Sequence, residues 1–365
     1  MKRIVYGALM LLAALAAYLA FWPVPVQPVA WNAPAAPGYV GAHAANTRLA
    51  GLTLIPMPAG EAGPEHVVLR DGKLYAAVAS GRILRMNADG SGAQTYADTG
   101  GRVLGFDFDA AGRLIAADAV KGLLAVGTDG SVTVLADKVD GDPIRYADAV
   151  VVAKNGRIYF SDASARFAPA QWGGTFEAAV LDIIEQRASG RILEYDPATQ
   201  KTRVVVRGLS FPNGVALSPD EQHLYVAETG RYRVWKVAVA AANVDAGSGS
   251  AQATVLLDNL PGYPDNLMRG ADGRVWVGMS GPRNAKIDEM ASKPFMRELT
   301  LRLPRALWPL PVPYGHVFAF DDTGRVVADL QDPSGSYPQT TGVTETAERL
   351  YIQNLHLGVL GWKPR

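Results

Sequence analysis

The chain of 365 residues carries 35 basic and 35 acidic side chains, and 48% of its residues are hydrophobic. This composition is typical of a globular protein with a sizeable core, and the balanced charge argues against nucleic acid as a partner. The absence of cysteine excludes disulfides, thiolate metal sites and a cysteine nucleophile. Length alone allows one large domain or two ordinary ones.

The first 22 residues differ in composition from the rest of the chain. Residues 4–22, IVYGALMLLAALAAYLAFW, carry no charge and follow Lys2 and Arg3. As a helix this stretch spans about 28 Å, close to the apolar thickness of a bilayer. The alternative is a cleaved signal peptide, but its apolar core is normally shorter, about 7–15 residues. We predict a transmembrane helix at residues 1–22, with its N-terminus in the cytoplasm because the basic residues lie on that side.

Residues 23–47 follow as a proline-rich, stiff spacer, and residues 48–365 contain an internal repeat. Each repeat unit has a turn, then an apolar-aromatic pair, then further strands. Six units are centred on Tyr75, Ile115, Tyr159, Tyr225, Trp276 and Tyr351. Two hairpins per unit and a period of about 40 residues or more predict an all-β fold, a six-bladed β-propeller. A sandwich of unrelated hairpins is the alternative.

Two intervals between units are longer than the period. Residues 162–190 and 280–314 contain apolar and charged residues at helix-like spacing, as in FEAAVLDIIEQR. We expect helical or loop insertions over one face of the propeller. They would form a lid over a binding site or pack against a neighbouring blade or a membrane surface.

Four units place an oxygen-bearing side chain at the same position, just before the first strand. These residues are Glu65, Asp148, Asn213 and Asp265, with Asn266 beside the last of them. The innermost strand of each blade lines the channel of a propeller, so we expect these oxygens to converge at one channel mouth. Such hard donors suit Ca²⁺, whereas zinc prefers histidine or cysteine and magnesium requires a tighter octahedron. The alternative is that these residues cap turns for local reasons.

Other residues around the predicted channel refine this hypothesis. Proline at positions 64, 212 and 264 predicts an extended residue before it. Gly105 and Thr341 occupy the equivalent position in the remaining two units and would leave space for water and substrate.

His316 and His356 lie in the last units, where either could reach the channel mouth as a base. No nucleophile elbow, P-loop or dinucleotide-binding glycine motif is present.

Several strings resemble the strictosidine synthase-like branch of the gluconolactonase and paraoxonase superfamily. They include GRIYFSDAS, LSFPNGVALSPD, VAETGRYRVW and DNLPGYPDN, and the likeness runs from about residue 60 to 360. It is greatest to bacterial relatives of the adipocyte plasma membrane-associated protein type. The resemblance implies a six-bladed propeller with calcium in its channel, a membrane anchor, and esterase, lactonase or phosphotriesterase chemistry in many members.

The resemblance places calcium ligands at Glu65, Asn213, Asp265 and Asn266. Asp148 stands where many relatives have Asn followed by Asp, but here the following residue is Ala149. The glutamate of true strictosidine synthases falls on Pro338, which argues against Pictet–Spengler condensation. The histidine of paraoxonase-like members falls on Gly105.

These observations predict a calcium-dependent hydrolase of lactones or aryl esters, with Asp148 or His316 as the base. We expect it to be anchored in the bacterial inner membrane with its propeller in the periplasm or extracytoplasmic space; secretion after signal cleavage is the alternative. A non-catalytic propeller, stabilised by calcium and binding a small ligand or a protein, is a second hypothesis. A condensing enzyme is a third. The expected partner is a small ester or lactone, whose identity depends on the two insertions.

Overall fold

Six antiparallel sheets around a central channel form the body of the protein in this computed structural model, which describes residues 2–365. The predicted six-bladed β-propeller is therefore confirmed. Each blade has four main strands, ordered from the channel outward. Blade 1 contains His66–Arg70, Lys73–Ala77, Arg82–Asn87 and Gln94–Asp98. Blade 2 contains Val103–Phe108, Leu114–Asp118, Gly122–Val126 and Val132–Ala136.

The next three blades follow the same order along the chain. Blade 3 contains Ala147–Val152, Ile158–Asp162, Gly190–Asp196 and Lys201–Leu209, with the short strand Val244–Asp245 parallel to its edge. Blade 4 contains Pro212–Leu217, His223–Glu228, Arg233–Ala238 and Ala253–Leu257. Blade 5 contains Gly262–Arg269, Val275–Pro282, Gly315–Phe320 and Val326–Asp332. A two-stranded ribbon, Lys138–Val139 and Asp142–Pro143, precedes blade 3.

Blade 6 joins the two ends of the propeller. Its strands are Thr340–Glu345, Arg349–Asn354, Val359–Pro364 and Thr53–Pro56. The last of these comes from the start of the propeller and pairs antiparallel with the final strand, so that Thr53 lies opposite Trp362. This exchange closes the ring through backbone hydrogen bonds and covers an edge that would otherwise be free to pair.

The repeat found in the sequence marks the second strand of every blade. The six central residues, Tyr75 to Tyr351, all fall on these strands. Second strands are covered on both faces, so that Leu114–Asp118 and Ile158–Asp162 are buried along their whole length. The motif therefore marks strands that lie between two neighbouring strands of their own sheet and pack against two adjacent blades.

The core consists of apolar layers between adjacent blades. One cluster fills each of the six interfaces, and Ile83, Phe106 and Leu124 illustrate the layer between blades 1 and 2. Each fully buried Leu, Ile or Phe contributes about 1.5–3 kcal/mol relative to an exposed one. Because every blade is packed on two sides, the positions of the innermost strands are strongly determined.

Four α-helices lie outside this ring: α1 (Lys2–Phe21), α2 (Thr175–Glu185), α3 (Ala285–Glu289) and α4 (Pro294–Arg302). Short 3₁₀ turns occur at Gly41–His43, Thr229–Arg231, Ala246–Ser248, Ala271–Gly273 and Arg305–Leu307. The last three helices belong to the two predicted insertions, which are therefore helical. We call α2, α3, α4 and residues 303–312 the lid.

The lid packs on its own apolar cluster. Ala178, Leu181 and Ile184 recur at helical spacing on α2 and pack with Phe167 and Phe211. Helix α2 ends at Gln186, a left-handed residue whose N–H donates to Asp182 O at 2.8 Å.

The N-terminal helix α1 has no buried residue. Among residues 2–365 it is the one helix long and apolar enough to cross a membrane. The proline-rich segment that follows runs along the lid, because the N–H groups of Val29 and Trp31 donate to the carbonyls of Glu185 and Ala291.

Candidate metal and substrate site

A β-bulge marks the channel end of the innermost strand in blades 2 to 6. In blade 3 the register shifts between Ala147 and Val150, and in blade 4 between Pro212 and Val215. An extra residue in one strand bends that strand and changes the direction of its side chain. Asp148, Asn213 and Asp265 all lie within such bulges, which explains how successive blades direct side chains to one channel end.

In three blades, the turn that leads into the innermost strand contains a left-handed residue. Gly63, Phe211 and Gln339 have φ values of 59°, 52° and 53°. The expectation of an extended residue before proline is therefore wrong for Gly63 and Phe211. The left-handed conformation costs a phenylalanine about 1–2 kcal/mol. Burial of Phe211 against Tyr146, with ring centroids 5.2 Å apart, offsets this cost.

Four of the five predicted metal ligands line a single cavity of about 260 Å³. They are Glu65, Asp148, Asn213 and Asp265, and each is at most 6% exposed. Asn266 has a different position: it is buried, and its Nδ2 donates to Glu65 O at 3.0 Å. Its amide therefore links blade 5 to blade 1 and holds the backbone of a neighbouring site residue.

Hydroxyl groups from adjacent blades hold the backbone of the site in the same way. Thr341 Oγ1 donates to Glu65 O at 2.7 Å, and Ser161 Oγ donates to Asn213 O at 2.7 Å. Ser161 also accepts from the N–H of Ala149 at 2.9 Å. The blade 6 sector, which we expected to be open, thus contributes a side chain that positions Glu65.

The acidic side chains of the site repel one another. Burial raises the pKa of Asp148 well above its usual value, and the charges of Glu65 and Asp265 raise it further. Burial and the Glu65 charge likewise raise the pKa of Asp265. The pKa of Glu65 is also raised by burial, although the Arg102 guanidinium opposes the shift. Three carboxyl groups at this place are therefore costly to ionise without a nearby cation.

Arg102 is a site residue that our sequence reasoning missed. Its Nη2 forms a partly buried ion pair with Glu65 Oε2. Its Nη1 donates to Val78 O at 2.6 Å and to Val103 O at 3.1 Å. The two carbonyls fix the guanidinium between blades 1 and 2, so it supplies one positive charge to the acidic cluster.

The residues present fit a calcium ion. Asn213 Oδ1 is buried and has no hydrogen-bond partner among residues 2–365. An unpaired buried oxygen is costly, and a hard cation would satisfy it. The same cation would relieve the repulsion that raises the carboxyl pKa values. The donor set consists of oxygens alone, which favours calcium over zinc.

The lid contributes apolar side chains to the wall of the cavity. Helix α2 starts beside the site, where Tyr146 Oη donates to Thr175 O at 2.8 Å. Apolar lid residues that line the cavity are Phe176, Ala179, Val180, Ile183, Ile184, Ile287, Trp308, Pro309, Leu310 and Pro311. A bound molecule would therefore contact both the oxygens of the propeller and the hydrocarbon of the lid.

Comparisons with known proteins agree with this architecture. A sequence model of strictosidine synthase matches residues 148–242, and one of the strictosidine synthase-like N-terminal region matches residues 41–86. The strictosidine synthase-like protein 7 of Arabidopsis thaliana is 33% identical over 273 residues, covering 73% of this chain and 69% of the plant protein. The chain belongs to the strictosidine synthase-like family.

The adipocyte plasma membrane-associated protein of Rattus norvegicus is 30% identical over 308 residues, which is 78% of each protein. Among solved structures, the gluconolactonase XC5397 of Xanthomonas campestris superposes with a TM-score of 0.60 at 19% identity, covering 93% of this chain and 98% of that chain. The calcium-binding protein regucalcin of Agrobacterium tumefaciens gives 0.53 at 16% identity, covering 84% and 90%. At this identity the two structures show a shared fold.

Close backbone contacts explain two glycines of this strictosidine synthase-like chain. A Cβ on Gly105 would lie 2.8 Å from Asp148 O and 2.9 Å from Ala149 Cα. A Cβ on Gly214, next to Asn213, would lie 2.3 Å from Leu267 N. The inner strands approach too closely at these positions for any side chain, so a histidine at position 105 would require the backbone to move.

His316, one of the two bases we predicted, lies away from this site. It is on the third strand of blade 5 and is not among the residues of the described chain, 2–365, that line the cavity. Its Nε2 lies 2.8 Å from Asp329 Oδ2, and His43 Nδ1 lies 2.7 Å from the same oxygen. This cluster attaches the end of the N-terminal segment to blade 5.

His356 is closer to the cavity than His316. It follows Leu355, a cavity-lining residue, and its ring centroid lies 6.0 Å from that of Phe176. Partial burial, together with the Arg102 charge, lowers its pKa. At the predicted synthase position, Pro338 offers no acid, and the next residue, Gln339, faces the cavity.

Proposed function

We propose that this protein is a calcium-dependent hydrolase of lactones or aryl esters. The observation that carries the proposal is a single cavity lined both by four oxygen-bearing residues from four blades and by the apolar lid. The gluconolactonase with the same fold supports a lactonase-type reaction. The calcium-binding protein with this fold supports the choice of ion.

Glu65, Asp148, Asn213 and Asp265 would hold the ion, which, when bound, supplies a Lewis acid for a substrate carbonyl oxygen. The chain itself contributes three further functions. Lid side chains such as Phe176 and Leu310 bind the apolar part of the substrate and exclude bulk water. Asp148, a carboxylate that lines the cavity, would accept a proton from water. Arg102 holds Glu65 in place.

We also propose that α1 anchors the protein in the bacterial inner membrane, with the propeller on the extracytoplasmic side. The length and apolarity of α1 and the absence of buried residues in it support an anchor. The name of its relative, adipocyte plasma membrane-associated protein, refers to the same kind of location.

A ligand-binding propeller without catalysis is the second candidate. The observation that favours it is the lack of histidine among the cavity-lining residues of the described chain, 2–365. In this case calcium would stabilise the channel and the lid would close over a ligand that is released unchanged.

The test compares Asp265→Asn with a matched variant, Asp71→Asn, whose carboxylate is 89% exposed in a turn of blade 1. Calcium at about 100 times its Kd should stabilise the wild type and Asp71→Asn by about 2.7 kcal/mol. Asp265→Asn should lose most of this gain and about 100-fold or more in hydrolysis of a lactone and aryl ester panel. Full activity in excess chelator would contradict the proposal. Calcium stabilisation without turnover of any substrate would support the ligand-binding alternative.

A further inference from the structure

The outer side of the lid exposes a concentration of large apolar side chains. Within residues 294–312 these are Phe295, Met296, Leu307, Leu310 and Val312, with exposed fractions of 39–65%. We call these five residues the lid face. Large exposed apolar residues on the propeller strands are aliphatic, for example Val134 and Val327. An apolar surface of this kind marks a site of contact with a protein or a membrane.

The lid is tied directly to the end of the apolar helix α1. Arg302, the last residue of α4, donates from Nε to Trp22 O at 2.8 Å and from Nη1 to Leu19 O at 3.2 Å. The last carbonyls of a helix lack partners within that helix and attract cations. Arg302 is only 6% exposed and also pairs with Glu298 at 2.9 Å. The α1 end and α4 are therefore held together by partly buried hydrogen bonds.

A second arginine joins the same region to the rest of the lid. Arg297 donates from Nη1 to Ile184 O at 2.8 Å and from Nη2 to Ala291 O at 2.7 Å. Its Nη2 also contacts Val29 O in the segment after α1. With these bonds α1, its following segment, α2 and α4 are connected, so the lid face has a defined position next to the membrane helix.

The position of α1 decides what covers the lid face. A helix of 20 residues spans about 30 Å, the apolar thickness of a bilayer. Phe21 and Trp22 at its end are exposed, as expected of side chains at a membrane–water boundary. Because Arg302 fixes α4 to this end of α1, the lid face lies at the same boundary.

The segment that carries the lid face also lines the cavity. Trp308, Pro309, Leu310 and Pro311 form part of its wall, and Leu310 is at the same time 42% exposed. The cavity thus reaches the protein surface through the lid face. We propose that the lid face inserts into the lipid surface beside α1 and that the cavity takes its substrates, apolar lactones or esters, from the bilayer. The substrate class depends on the proposed hydrolase function, whereas lipid insertion depends only on the anchor.

Lipid insertion can be measured without an activity assay. Because the chain contains no cysteine, an introduced cysteine can be labelled at a single site. Single variants Leu307→Cys, Val312→Cys and the control Val134→Cys are labelled with an environment-sensitive fluorophore. Val134 is 53% exposed on the outermost strand of blade 2. The full-length proteins are placed in phosphatidylcholine–phosphatidylglycerol vesicles. Lipids with a spin label in the acyl chain should quench the probes at 307 and 312 but not the probe at 134. Iodide, which stays in the aqueous phase, should quench the probe at 134 more strongly than the probes at 307 and 312. Equal quenching of the three probes would overturn lipid insertion.

The substrate route is tested with two homologous lactones, one short and water-soluble and one with a long acyl chain that partitions into vesicles. The double variant Leu307→Asp, Val312→Asp changes exposed residues outside the cavity wall, and Val134→Asp is its control. We expect kcat/KM for the long-chain lactone to fall about tenfold in the double variant. The short-chain value should not change. An equal fall in kcat/KM for the two lactones would overturn the proposal that substrates enter from the bilayer. If the wild type hydrolyses neither lactone, the hydrolase proposal fails, while the quenching experiment still decides lipid insertion.

Discussion

Asp182 of α2 offers the sharpest test of the electrostatics of the lid. Its carboxyl group is 2% exposed, and its Oδ2 accepts from Ser164 Oγ at 2.6 Å and from Ser189 Oγ at 3.3 Å. Its Oδ1 is buried with no hydrogen-bond partner in the described chain, residues 2–365. Burial, assisted by the charge of Glu185, raises the pKa of Asp182 to about 7 from its usual 3.8.

This pKa determines the sign and the size of the pH dependence of the free energy of unfolding. The folded state binds the proton more tightly than the unfolded state between about pH 4 and pH 7, so the free energy of unfolding falls as the pH rises through this range. The difference of about 3 pKa units corresponds to about 4 kcal/mol. Asp182→Asn removes the ionisation. Its stability relative to the wild type should increase by about 1.4 kcal/mol per pH unit up to about pH 7 and then remain constant.

Urea unfolding of the full-length protein in detergent, followed by circular dichroism from about pH 4 to about pH 9, measures this difference. Asp71→Asn is the matched control, since its side chain is exposed, and it should follow the wild type at every pH. Parallel pH profiles for Asp182→Asn and the wild type would refute the assignment of a protonated Asp182 within the lid.

Two further variants test the site backbone and the attachment of the N-terminal segment. Gly105→Ala should destabilise the protein by about 1–3 kcal/mol and weaken calcium binding, because its Cβ would displace Asp148; unchanged thermal stability and calcium affinity would contradict this. Asp329→Asn weakens the shared acceptor of His43 and His316 and should cost about 1–3 kcal/mol. Limited proteolysis should then cut near residues 40–46, with the wild type as reference, and an unchanged cleavage pattern would count against the attachment.

The blade architecture could be predicted from the sequence because its signal is local and repeated. Tyr75, Tyr159 and Tyr225 each follow shortly after a turn, and each lies on a second strand, where burial on two faces selects the same residue types. The register of the site followed from the same regularity. Asp148 lies 11 positions before Tyr159 and Asn213 lies 12 before Tyr225. The two residues line the same cavity although they belong to different blades.

Features that depend on contacts between distant segments could not be predicted. The bulges that aim Asp148 and Asn213 depend on pairing between strands, and a sequence pattern of period two does not reveal an extra residue. The sequence predicts that His316 could reach the channel mouth, but its strand is the third of blade 5 and His316 does not line the cavity. Its hydrogen-bond partner Asp329 is shared with His43, which lies 286 positions earlier than Asp329 in the chain.

Arg102 makes the net charge of the site less negative. Alone, Glu65, Asp148 and Asp265 would carry three negative charges when ionised, but the partly buried guanidinium of Arg102 reduces this to two. A single divalent cation then neutralises the cluster. Because backbone carbonyls of Val78 and Val103 also hold Arg102, it keeps its place whether or not an ion is bound. In the proposed calcium site, the arginine would therefore favour one divalent ion over two. It would also compete with the ion for Glu65, so that Asp148, Asn213 and Asp265 would be the strongest donors.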